Sequence, residues 1–262
     1  LEHFQRNERG LAAGDRDPEY VHQARVALRR LRSALKLFAP ALPPDFVAAY
    51  GQTWQALASA LGDARNWDVF VEETLPPLAA AFPGHPHTRS LQRESTRRAK
   101  HARQAVAHLV ALPDYPRLIV EFTAALYALT DLLPDSLADF AARRLKSRAR
   151  QARRLGERLD ELTPDERHRM RISFKKLRYA VEFFSPLLPE KPLKRYLAAL
   201  SRLQDDLGLI NDHVTALALL DEILARRHAG PIHGWMAGRH ELLVRELPGA
   251  LAGWLERKGP WS

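Results

Sequence analysis

Two stretches of this chain carry the same cationic spacing. Residues 22–38 read HQARVALRRLRSALKLF, and residues 168–184 read HRMRISFKKLRYAVEFF. Each opens on His, places Arg three positions later and a basic pair at the eighth and ninth positions, and closes on Phe. On a helix of about 100° per residue, His22, Arg25, Arg29, Arg32 and Lys36 share a face roughly 80° wide. His168, Arg171, Lys175 and Arg178 share the same face of the second stretch, where Glu182 replaces Lys36. Guanidinium groups offer paired, planar N–H donors to oxyanions. Imidazole adds a donor, and a charge that a nearby anion would draw out. This pattern is suited to holding a polyanion. An ordinary solvated face would intersperse Glu with Lys, because like charges at i,i+4 cost a few tenths of a kcal/mol per pair. From residue 22 to residue 36 there is no carboxylate. The repetition of a self-repelling stripe favours a bound anion over simple solvation.

Other cations extend or flank the stripes. Arg30 and Lys176 fall off the main face, at about 80° from the histidines, and would form a second wall or point to solvent. Arg89, Arg93, Arg97, Lys100 and Arg103 align on one helix face, and Lys146, Arg150 and Arg154 cluster with Arg153 and Arg143. Both groups are expected to extend the surface or to be merely solvated. His85 and His87 flank a proline and read as exposed loop residues. The stripes lack the carboxylates that hold catalytic metal ions in phosphoryl chemistry, and no HExxH motif occurs. The expectation is no catalytic residue, no metal and no cofactor.

The residues must be carried by helices, because the periodicity is helical almost throughout and no alternating strand stands out. Asp17-Pro18-Glu19 reads as a helix start running to about Phe38, with Pro40 as the stop. Thr163 with Glu166 reads as a capping box before the second histidine helix. Further helices are expected near 45–61, 63–82, 88–111, 115–132, 135–162, 192–207, 211–228 and 232–256. Gly62 and Gly208 are read as turns, with Asn66, Asp68, Asn211 and Asp212 capping the helices after them. Residues 83–87 form a turn, and Pro248 kinks or ends the last helix. Leu28, Leu31, Leu35 and Phe38 mark the core side of the first stripe helix. Phe174, Leu177, Val181 and Phe184 mark that of the second.

The offset between the stretches, from residue 22 to residue 168, persists for about 45 residues: Phe38 aligns with Phe184, Tyr50 with Tyr196, and Leu61-Gly62 with Leu207-Gly208. So long a period indicates one duplicated multi-helix unit and not a short-repeat array. The expected architecture is all-α, with two related helical bundles in residues 1–133 and 134–262, joined near Leu133–Asp135.

The formal net charge of +9 and pI near 10.1 imply an acidic partner. Nucleic acid, polyphosphate, anionic membrane and acidic protein all remain open on charge alone. The chain has no Cys, which fits a reducing compartment. Neither a signal peptide nor an apolar run long enough for a membrane span is expected. The start at Leu1, without Met, suggests a piece of a longer protein with a neighbouring domain missing.

At H-x-x-R-V-x-x-R-R-x-R (22–32), H-x-x-R-x-x-x-K-K-L-R-Y (168–179), LGDARNWD (61–68) and LQDDLGLIND (203–212), the chain resembles the CHAD family, the conserved histidine α-helical domain. The resemblance covers nearly the whole chain, residues 1–262, as a single domain. Asn66 stands where the family usually has an acid. The resemblance implies two four-helix bundles with pseudo-two-fold symmetry around a basic pore or cleft. It also implies binding of inorganic polyphosphate, association with polyphosphate granules in the cytoplasm, and a neighbouring CYTH domain or polyphosphate-metabolising enzyme. Carried over by position, the binding residues are His22, Arg25, Arg29, Arg30, Arg32, His168, Arg171, Lys175, Lys176, Arg178 and Tyr179. Competing readings are backbone-directed nucleic-acid binding, disfavoured because the stripes lack interleaved aromatics, and an accessory domain of a phosphoanhydride-processing enzyme. The E-x-E-x-K signature of the CYTH family is absent.

Overall fold

The computed structural model describes residues 1–14, 17–130, 136–224 and 226–261, and within them all side chains except those of 164 and 226–229. Among these residues the structure is helical and contains no strand. The helices are α1 (Glu2–Gln5), α2 (Glu8–Ala12), α3 (Pro18–Phe38), α4 (Pro44–Tyr50), α5 (Gln55–Val69), α6 (Leu75–Ala81), α7 (Thr88–Ala111), α8 (Asp114–Tyr127), α9 (Leu137–Gly156), α10 (Pro164–Phe183), α11 (Glu190–Ile223) and α12 (Arg226–Leu255). A π-helical turn at Phe70–Thr74 links α5 to α6. No described helix is long and apolar enough to cross a membrane.

The two stripe helices begin and end as their sequences dictate. The Asp17 carboxylate accepts from the backbone N–H of Glu19 (2.9 Å) at the start of α3. Thr163 and Glu166 form the reciprocal capping box at α10: the Thr163 hydroxyl accepts from the Glu166 N–H (3.3 Å), and Glu166 accepts from the Thr163 N–H (2.9 Å). Both helices stop at a proline-containing 3-10 turn, Ala39–Ala41 after α3 and Ser185–Leu187 after α10. Proline lacks the N–H that would extend the helical ladder, which favours a break at each of these turns.

Several expected breaks are absent. Helix α5 continues through Gly62, and α11 continues through Gly208. Asn66 and Asp68 therefore lie inside α5, and Asn211 and Asp212 inside α11; none of them caps a helix. Glycine weakens a helix by only about 1 kcal/mol, which packing on the flanking turns outweighs. Likewise α12 runs past Pro248 to Leu255. The expected 45–61 helix is instead interrupted by a turn at 51–54, between α4 and α5. Residues 83–87 do form a turn, with Gly84 at φ 78°, where an L side chain would be strained. The join expected at Leu133–Asp135 lies outside the described residues.

The chain forms two compact units, neither of them contiguous in sequence. The first comprises Leu1–Leu35, Leu42–Thr130 and Val214–Met236; the second comprises Lys36–Ala41, Asp131–His213 and Ala237–Ser262. The first unit has two apolar clusters. Val21, Ala24 and Leu28 of α3 join Trp54, Leu61 and Phe122 in one, with Leu31 and Leu35 packed at its edge. Trp67, Phe70, Leu91, Leu220 and Met236 contribute to the other. In the second unit, Phe174, Leu177, Val181 and Phe184 are all buried together with Leu145, Leu203 and Trp254. The Phe174 and Trp254 rings meet edge to face at 4.8 Å, a favoured aromatic geometry. Phe38 packs on Phe140 and Phe184 of the same unit.

Candidate anion-binding site

In the first unit the stripe of α3 lies along α5. Arg32 donates to the Gln55 side chain at the start of α5. The Arg25 Nε passes 4.0 Å from where a Cβ on Gly62 would sit. His22 lies near enough to Arg65 for the two charges to interact. The two helices thus run antiparallel, with cations distributed along their length. His22, Arg25, Arg29, Arg30 and Arg32 are half-buried.

The imidazole of His22 is pushed below its ordinary pKa of 6.5, first by burial and then by Arg65, with Arg29 and Arg25 adding to the effect and Glu19 opposing it. Burial and the crowded positive charge both favour the neutral imidazole. Arg65 is a residue the sequence reading did not select. It sits inside LGDARNWD, where it looked like part of a turn; on the continuous α5 helix it faces His22. Its guanidinium also pairs with Glu73 at 3.1 Å.

In the second unit, α10 presents His168 exposed and Arg171, Lys175 and Arg178 half-buried. Arg178 is restrained by neighbours: its Nε donates to Glu182 at 2.7 Å and its Nη1 to Gln204 at 3.4 Å. Gln204 is itself buried and donates to the Phe174 carbonyl at 2.8 Å, tying α11 to α10. The glutamate that replaces Lys36 in the sequence pattern thus engages the last cation of this stripe. Tyr179 is 8% exposed, with its ring 6.4 Å from that of Phe183. Lys36 falls in the second unit, where it is exposed. Lys176 has its pKa lowered by burial first, then by Arg148 and Lys36.

The flanking cations divide. Arg89, Arg93, Arg97 and Lys100 are exposed on α7, with Arg97 held by Glu94 through two hydrogen bonds of 2.8 and 2.7 Å. Arg103 turns inward and pairs with Asp68, which is 1% exposed. Burial raises the Asp68 carboxyl to about 6, outweighing the opposing pull of Arg103, while Glu72 raises it further. Arg103 is therefore engaged in an internal ion pair. Lys146, Arg150 and Arg154 are exposed on α9. His85 and His87 are half-buried in the turn before α7, their rings 5.7 Å apart. No group of three or more His, Cys, Asp or Glu suited to a metal ion occurs among the described residues.

The fold and site define an all-α domain whose two compact units each carry a histidine- and arginine-bearing helix. The chain belongs to the CHAD domain family, whose model matches residues 1–221. The crystal structure of the CHAD domain from the plant Ricinus communis is similar, with a TM-score of 0.81 and 32% sequence identity over 99% of this chain and 89% of that one. No curated protein matches the chain.

Proposed function

We propose that this chain is a non-catalytic binding module for inorganic polyphosphate. The observation that carries the reading is His22, set among Arg65, Arg29 and Arg25 closely enough for their charges to disfavour its protonation. Such crowding disfavours the unliganded state and is relieved when phosphate oxygens enter. The stripe of α10, with Arg171, Lys175 and Arg178, offers a second row of the same donor types. A flexible chain of phosphates, uniform along its length, suits rows of Arg, Lys and His donors better than a site shaped for one small anion. Family membership favours the same ligand, since the CHAD resemblance implies it, and association with polyphosphate granules follows from that binding.

The test is retention on immobilised long-chain polyphosphate by the wild type and by Arg29→Glu/Lys175→Glu, with single- and double-stranded nucleic acids as competitors. Loss of retention in the variant, with nucleic acid a poor competitor, is expected. Unchanged retention would remove the stripes from the site. Equal competition by nucleic acid would make the module a general polyanion binder.

A further inference from the structure

The second unit contains a feature that the stripes do not use. Between α9 and α10 lies an open groove of about 680 Å³, within the size range of small-molecule sites. Arg150, Arg154, Arg158, Arg169 and Lys176 line it, against a single carboxylate, Glu166. Arg158 and Arg169 engage carboxylates near the helix ends, Glu161 at 2.9 Å and Glu166 at 3.7 Å. Arg150, Arg154 and Lys176 have no carboxylate partner among the described residues. On α10 the groove residues Arg169, Ile172 and Lys176 lie roughly 130° around the helix from Arg171, Lys175 and Arg178. The groove and the stripe therefore flank the buried face of α10 on opposite sides.

Two further observations point to a ligand of a particular kind. Ser173 lines the groove, is 3% exposed, and its Oγ has no hydrogen-bond partner among the described residues. A helical serine ordinarily returns its hydroxyl to the carbonyl four residues back, and an orphaned buried hydroxyl is costly. Leu155 and Ile172 supply apolar wall beside the cations. An inorganic phosphate chain has no surface to place against such a wall.

We propose that the α9–α10 groove is a second anion site that takes a phosphate ester with an apolar body, of the nucleoside triphosphate class. The phosphates sit among Arg150, Arg154 and Lys176, and the carbon framework lies on Leu155 and Ile172. The Ser173 hydroxyl meets a polar atom of the ligand. The burial and like-charge crowding that lower the Lys176 pKa favour the same occupant, because an anion would reverse the effect of its neighbours. Lys176 is shared with the residues that the family resemblance assigns to polyphosphate, but Arg171, Lys175 and Arg178 of the stripe do not line the groove, so the two sites can be tested apart.

The test is calorimetric titration of the full chain with ATP and with inorganic tripolyphosphate. Four proteins are compared: wild type, Arg154→Glu/Lys176→Glu in the groove, Ser173→Ala beneath it, and Arg171→Glu/Lys175→Glu in the stripe. Thermal melts confirm that each is folded. The groove variant should lose ATP affinity by about tenfold or more, and Ser173→Ala should lose several-fold while melting no lower than wild type. The stripe variant should bind ATP as wild type does even where long-chain polyphosphate binding is lost. In the stripe variant, which leaves only the groove, affinity should be higher for ATP than for tripolyphosphate. No ATP binding by wild type, equal affinity of the stripe variant for the two probes, or loss in the stripe variant with none in the groove variant would overturn the proposal.

Discussion

If the first stripe holds an anion, binding must draw a proton onto His22. In the unliganded chain the imidazole lies below its ordinary pKa of 6.5 because of burial and the charges of Arg65, Arg29 and Arg25. Phosphate oxygens among those arginines cancel their effect and favour the imidazolium. The pKa of the complex is then higher than that of the free protein. Between the two values, binding takes up a proton and affinity rises as pH falls. Above the higher value and below the lower one, this contribution is flat. A single site taking up one proton gives at most about a tenfold gain in affinity per pH unit, or about 1.4 kcal/mol. The assay is calorimetric titration with long-chain polyphosphate from pH 8 to pH 5.5, in buffers of differing ionisation enthalpy, which counts protons directly. His22→Gln should remove the slope that His22 contributes while leaving much of the affinity at pH 8. Arg65→Gln should raise the free-state pKa and so narrow the pH window. Identical slopes in wild type and His22→Gln, or affinity that rises with pH, would refute the placement of the anion beside His22.

Three predictions concern the scaffold. The Asp68 carboxyl, raised from 3.8 to about 6 chiefly by burial, makes the folded state bind a proton more tightly than the unfolded one. Wild type should therefore gain stability relative to Asp68→Asn as pH falls from 7 to 4, by about 1–3 kcal/mol; chemical denaturation at both ends of that range would expose a flat difference. Gly208→Ala places a Cβ where no atom lies within 4 Å in the middle of α11, so it should stabilise by about 0.5–1 kcal/mol in a thermal melt, and a lower melting temperature would mean the site is not open. Phe174→Ala removes a fully buried ring stacked edge to face on Trp254 and should cost about 3–5 kcal/mol in denaturant titrations; a loss below about 1 kcal/mol would mean that α10 is not anchored there.

Helix starts, the all-α class and the core face of α10 could be read from the sequence because they depend on local chemistry. Asp17, Thr163 and Glu166 act on backbone groups two or three residues away, and Phe174, Leu177, Val181 and Phe184 recur at helical spacing. What escaped the sequence depends on neighbours distant in the chain. Gly62 looked like a break because its weak propensity was visible, whereas its position beside Arg25 of α3 was not. Arg103 aligned with the exposed cations of α7, and nothing local signalled the buried Asp68 beneath it. Arg65 was mistaken for turn structure once Gly62 had been read as a break. The groove beside Lys176 requires α9 against α10, and no helical projection of α10 alone reveals it.

The central claim is that the basic helices hold a phosphate chain. The most direct measurement is calorimetric titration of wild type with long-chain polyphosphate, tripolyphosphate and orthophosphate at two salt concentrations. Affinity should grow with chain length and fall steeply with salt, by analogy with the counterion release seen on nucleic acids. Weak binding indifferent to chain length would contradict it and leave a basic helical scaffold whose partner lies elsewhere.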